Sequence, residues 1–262
     1  MPFTLAHPAA AVPLAKYRLP LSALVVGSMA PDFPYFIHLS TSHQYGHTLP
    51  GILLFCVPAG LVALWLFHTV LKLPLLSLLP ASHQARLGPV ANTFRFRPSR
   101  QFFLIVSALL LGAFTHVAWD SFTHAGGWAV QQIPVLRLPV IQTSRGALSV
   151  FKILQHGSTL LGTALLAVWY FRWLKHASEQ EVRLPVHLPQ HLKTRLICFL
   201  LLSAVLCAGI YSYWATSSSG GESGLQPFVR NLVVASVGFL FAELIVFSGI
   251  WHLKAARQQT NQ

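Results

Sequence analysis

Long apolar runs alternate with short polar stretches over most of this chain. Residues 51–71 (GILLFCVPAGLVALWLFHTVL) hold 21 positions without a formal charge, which at 1.5 Å rise per residue cross the roughly 30 Å of a bilayer's hydrocarbon core. Similar runs occupy residues 101–119, 153–171, 196–214 and 231–251, with Trp or Tyr near several of their ends, as membrane interfaces favour. The pattern predicts an all-α integral membrane protein with about five transmembrane helices. Residues 19–30 (LPLSALVVGSMA) are too short to cross and predict a buried or re-entrant N-terminal helix.

Composition agrees: 54% of residues are hydrophobic, 9% are charged and mean hydropathy is +0.57, where a soluble domain carries about 25% charge. Cys56, Cys198 and Cys207 all lie inside apolar runs and match no zinc or disulfide spacing, so they are expected to pack. The 18 basic against 6 acidic residues form no dense tract and no aromatic-interleaved stripe, which excludes nucleic acid as the expected partner.

The basic residues sort by topology instead. Twelve of the 18 fall between the first and second runs, between the third and fourth, or after the fifth, the cytoplasmic sides under the positive-inside rule. Under that topology the N-terminal region through His47, the segment 116–124 and the start of the third span at His156 share the extracytoplasmic face. The chain divides into a metal-binding membrane domain over residues 1–171, a cytoplasmic linker over 172–195 and a two-helix membrane tail over 196–262. The stretch 125–152, with Gly126, Gly127, Pro134 and Pro139, is expected to be a long outer loop.

Against this background the acids stand out. The only two aspartates are Asp32 and Asp120, each at the edge of an apolar segment where an unpaired carboxylate is costly. His116, Asp120 and His124 are spaced four apart, so on a helix they advance about 40° per step and share one stripe. Asp32 lies between His7 and His47 in the sequence. Imidazole nitrogen with carboxylate oxygen is a zinc donor set. Glu243, near the middle of the fifth run, is a separate intramembrane carboxylate. No Walker sequence, Gly-rich phosphate loop or Ser-centred elbow is present.

The blocks MPFTLAHPAAAVPL, LPLSALVVGSMAPDFPYF, GHTLPGILLFCVPAGL, GAFTHVAWDSFTH and LQHGSTLLG, spanning residues 1 to about 165, resemble a family of bacterial membrane proteins of unknown function. That family is in turn similar to LexA-regulated, membrane-bound, predicted metal-dependent hydrolases, which share a Pro-Asp block and a His-x-x-x-Asp block. The order His, Asp, His, His-x-x-x-Asp also resembles the ligand order of the helical zinc-dependent phospholipase C and P1-type nuclease fold. The resemblance implies His7, Asp32, His47, His116 and Asp120 as metal ligands, Asp120 bridging ions, and His124 and His156 serving a further ion. This chain departs from the phospholipase pattern after His156, where residue 160 is Leu rather than a carboxylate.

The expectation is therefore a hydrolase of the bacterial inner membrane, using one or two divalent ions with zinc favoured, at the outer rim of the first three spans. Asp120, His124 and His156 are the expected catalytic residues. Arg145 in the outer loop is the candidate phosphate holder, and the substrate is an amphiphilic ester or, preferably, a lipid or lipid-linked phosphoester. Two other readings use the same residues: a metal transporter or sensor, and a non-catalytic membrane scaffold.

Overall fold

A computed structural model describes residues 4–40, 45–91, 93–143, 146–181, 184–218 and 224–260. The chain is almost wholly helical. In order run α1 (Pro8–Ala11), α2 (Leu21–Met29), α3 (Phe33–His38), α4 (Leu49–Leu78), α5 (Ala81–Ala91), α6 (Ser99–Thr123), α7 (Trp128–Gln132) and α8 (Pro134–Arg137). The hairpin β1 (Pro139–Thr143) and β2 (Gly146–Ser149) follows, then α9 (Val150–His176), α10 (Gln190–Ser218) and α11 (Leu225–Thr260).

Four helical stretches among the described residues are long and apolar enough to cross a membrane: Leu49–Leu78, Ser99–Gln132, Gln190–Ser217 and Leu225–Thr260. They mark the chain as a membrane protein, with large apolar side chains such as Leu202, Leu206 and Ile210 facing outward. The expected fifth span, residues 153–171, does form part of helix α9 but is not among these four. Polar Gln155, His156, Ser158 and Thr159 crowd its first turns and dilute its apolar character. Helix α4 contains two wider π-type stretches, Ile52–Cys56 and Leu66–Leu71. Each lies just ahead of a proline, Pro58 or Pro74, whose ring cannot tolerate the carbonyl four residues back in a regular α-helix.

The contacts divide the chain into two compact units. The first comprises Met1–Phe33, Tyr45–Leu64 and Arg95–His176. Its backbone is the pairing of α2 with α6, made possible by glycine on both helices: a methyl group at Gly27 would strike the Leu109 backbone, and one at Gly112 would strike the backbones of Leu24 and Ser28. Small residues at such a crossing let two helix backbones touch. Ala30, Ile52, Cys56 and Ala113 form an adjoining core. The 125–152 stretch, expected as loop, instead folds as α7, α8 and an antiparallel hairpin in which Thr143 pairs with Gly146, while Ala129, Val130 and Leu136 of α7 and α8 form a small core against Val150 and Phe151.

The second unit comprises Pro34–Gln44, Trp65–Phe94 and Ala177–Gln262. Helices α10 and α11 pack along each other. Val186 and Leu188, from the stretch expected to be a linker, are buried with Leu78, Trp251 and Ala255, so apolar burial anchors this segment. The Lys193 ammonium donates to the Leu79 carbonyl at 2.8 Å.

Candidate metal centre

The cluster is assembled from four short pieces of the first unit. His7 follows the 3-10 turn Thr4–Ala6 and leads into α1. Asp32 closes the 3-10 turn Ala30–Asp32 that ends α2. His47 closes another turn, Tyr45–His47, immediately before Thr48, whose hydroxyl caps α4 by accepting from the Gly51 N–H at 3.0 Å. Gly46 lies so close to the Pro31 backbone that no side chain fits there, and this contact sets His47 beside Asp32. His116 and Asp120 come from the last turns of α6, with His124 at its C-terminal cap.

The resulting distances form a pattern. His47 Nε2 lies 3.5 Å from Asp32 Oδ1 and 3.4 Å from Asp120 Oδ2. His116 Nε2 lies 3.6 Å and 3.4 Å from the same two oxygens. On the other side of Asp120, Oδ1 is 3.6 Å from His7 Nε2 and 3.4 Å from His124 Nδ1. The His7 and His116 rings stack with centroids 3.7 Å apart.

These separations exceed the 2.7–3.2 Å of an N–H···O bond. They equal the edge of a tetrahedron, about 3.4 Å, whose corners lie about 2.1 Å from a central cation. His7 Nε2, His116 Nε2, Asp32 Oδ1 and Asp120 Oδ1 are buried without a hydrogen bond among the described residues, although buried polar atoms almost always have one. Two groups, His7 with His116 and Asp120, and Asp32 with His47 and His116, have ligand atoms close enough to hold an ion. The residues present therefore fit a divalent cation.

Two further contacts aim the donors. The Ser28 carbonyl can only accept, so His116 Nδ1, 2.7 Å away, must donate to it; a neutral ring then carries its lone pair on Nε2, facing the carboxylates. The Thr4 hydroxyl donates to Asp32 Oδ2 at 2.6 Å, leaving Oδ1 for the centre. His124 Nδ1 lies 3.2 Å from the Asp120 carbonyl oxygen and 3.3 Å from Thr123 Oγ1 as well as near the carboxylate.

Titration follows from the same geometry. Burial, reinforced by the neighbouring His116, lowers the His7 pKa to about 3, so this ring is neutral at pH 7. Burial alone would raise Asp32, but His47, His116 and Thr4 together hold its carboxyl below the usual range. Burial likewise opposes charge on His47, yet Asp120 and Asp32 outweigh it and raise this imidazole to about 9. In the metal-free protein His47 thus keeps a proton that a cation must displace. With the folded value above the ordinary 6.5, that protonated state adds stability below pH 6.5 and loses it as pH rises through about 9. Metal binding should release about one proton per chain from His47 at pH 7 and tighten as pH rises toward 9, measurable by titration calorimetry in buffers of different ionisation enthalpy; pH-independent affinity would contradict this.

A family model described as "Domain of unknown function (DUF4184)" matches residues 1–249. The chain belongs to this family. No curated protein and no solved structure matches it. All six clustered residues of this DUF4184 chain, His7, Asp32, His47, His116, Asp120 and His124, lie inside the matched region.

Of the residues singled out by sequence, His7, Asp32, His47, His116, Asp120 and His124 are brought together. His156 is not: it is exposed on α9, and neighbouring Gln155 is the residue that turns inward. Arg145 lies outside the described residues. Glu243 sits on α11 in the second unit, with one carboxylate oxygen buried and without a hydrogen bond among the described residues. Thr4 and Ser28 escaped the sequence reading. Thr4 had a signal, three positions before His7, whereas Ser28 acts through its backbone carbonyl, which every residue type supplies.

Proposed function

We propose that this DUF4184 protein is a membrane-embedded hydrolase that uses divalent ions, zinc favoured, to cleave a phosphoester in an amphiphile at the membrane interface. The observation that carries the reading is the cluster of imidazole nitrogens and carboxylate oxygens spaced 3.4–3.6 Å apart, of which His7 Nε2, His116 Nε2, Asp32 Oδ1 and Asp120 Oδ1 are buried without a hydrogen bond among the described residues. Zinc is favoured because the donors are imidazoles and carboxylates in a near-tetrahedral arrangement.

Asp32, His47, His116 and Asp120 Oδ2 would form one four-donor set. Asp120 Oδ1 and His7 would form a second with fewer protein donors, beside His124, whose Nδ1 donates to the Asp120 carbonyl. A closed four-ligand site is structural in character, while catalytic sites keep a position open, so the chemistry belongs on the His7 side. Bound there, zinc would lower the pKa of a water ligand toward about 7 and polarise the scissile group's oxygen.

Charge selects the substrate class. Two divalent ions against two carboxylates leave a surplus of about two positive charges, since His7, His47 and His116 are neutral as ligands. Such a centre favours an anionic phosphoester over a neutral carboxylic ester. Its position at the start of one span, Leu49–Leu78, and near the end of another, Ser99–Gln132, suits a substrate whose head lies at the bilayer surface. The ligand order supports the analogy with zinc-dependent phospholipase C.

The test compares detergent-purified protein, stripped by chelator and reloaded with zinc, on p-nitrophenyl phosphate, its diester and p-nitrophenyl butyrate. Reloading should raise phosphoester turnover on the order of 10²–10³-fold and leave the butyrate nearly untouched. Full zinc loading with no turnover of any ester would replace the hydrolase with a non-catalytic metal-handling protein.

A further inference from the structure

A groove of about 180 Å³ runs from His7 between α1 and α9, with Trp119 of α6 on its side. We propose that it seats one hydrocarbon chain of the amphiphile whose anionic head meets the metal centre at His7. This deepens the hydrolase reading and rests on it for the identity of the head group.

The walls are built for a chain. Gly162 lets α9 approach α1 closely, since a methyl there would press against Ala6 and Ala9, and these small residues form the apolar floor of the groove. Leu161 and Leu165, one helical turn apart, supply apolar surface along it. Ser158 is the one hydroxyl in the lining, and it is committed to the Gln155 carbonyl at 3.1 Å. A sugar or peptide in this groove would leave polar groups unmatched, whereas methylenes ask for no partner.

Size points the same way. Pockets that enclose a whole small molecule run about 300–1,000 Å³, so 180 Å³ accommodates a narrow segment and leaves the rest of the ligand outside. His7, 5% exposed, is part of the groove's lining, and its Nε2, without a hydrogen bond among the described residues, lies 3.6 Å from Asp120 Oδ1 of the metal centre. The polar end of a ligand therefore arrives where the cationic centre needs an anion, while its body lies against Leu and Ala. The occupant with that distribution of charge and apolar length is a single-chain portion of a membrane phosphoester lipid.

The experiment uses the full chain in detergent with phosphatidic acid carrying a diazirine midway along one acyl chain, and measures zinc content in parallel. Photolysis should label peptides containing Ala9, Leu161 and Leu165 ahead of the outward faces of α10 and α11. Leu165→Trp, which fills the groove away from every proposed ligand, should cut that labelling about tenfold while zinc content stays at the wild-type level; Leu161→Trp serves if the first variant fails to fold. Labelling spread evenly over the lipid-facing helices of the wild type, or undiminished in a folded, zinc-loaded tryptophan variant, would overturn the proposal. Groove labelling in a protein that binds no zinc would overturn the hydrolase reading and leave the chain seat standing.

Discussion

Asp120→Asn should empty the centre of metal while leaving the helices folded. Asp120 is the one side chain whose two oxygens face both donor sets, Oδ2 toward His47 and His116 and Oδ1 toward His7 and His124. Asparagine keeps the shape but offers a neutral oxygen on one side and an N–H₂ donor on the other, so both sets lose charge and one also loses a ligand atom. Bound zinc should fall from about two ions per chain to fewer than about one. A ligand at 100 times its dissociation constant adds about 2.7 kcal/mol to apparent stability, so the zinc-dependent rise in melting temperature should vanish with it. Unchanged helical circular dichroism with lost zinc, read by elemental analysis, is the expected pair; full zinc in the folded variant would contradict the ligand assignment.

Removing His7 should have a different effect from removing His47. His7→Ala leaves Asp32, His47, His116 and Asp120 Oδ2 intact, so the variant should keep about one ion per chain. It should also lose phosphoester turnover by on the order of 10²–10³-fold, because the open position lies on its side. His47→Ala breaks the four-donor set itself and should weaken the ion that the His7 variant retains. The two substitutions become distinguishable by stoichiometry and turnover measured together: equal metal loss in both would argue for a single shared ion in place of two sets.

Much of this was legible because membrane burial is written in composition. Uninterrupted apolar runs gave the spans around residues 51–71, 101–119, 196–214 and 231–251, and the scarcity of acids made Asp32 and Asp120 conspicuous. The four-residue spacing of His116, Asp120 and His124 survives directly as one stripe on α6. The features that were not legible depend on partners far away in sequence. The touch of Gly27 and Gly112 across α2 and α6, the approach of Gly46 to Pro31 and the hydrogen bond from His116 to the Ser28 carbonyl all use backbone atoms, which carry no residue signature.

The hairpin Pro139–Ser149 was hidden because its strands are short, its Val140 and Ile141 side chains are exposed, and its Gly- and Pro-rich surroundings resemble open loop. His156 misled because a histidine at the start of an apolar run looks aimed at the same face as the others. One residue of helix rotation, about 100°, is the difference between exposed His156 and buried Gln155.

Diffraction from zinc-soaked crystals, recorded on both sides of the zinc absorption edge, tests the centre most directly. The account predicts an anomalous peak ringed by Asp32, His47, His116 and Asp120, and a second about 3.5–4 Å away beside His7 and His124. Anomalous signal absent from this cluster, or concentrated elsewhere in the protein, would contradict it.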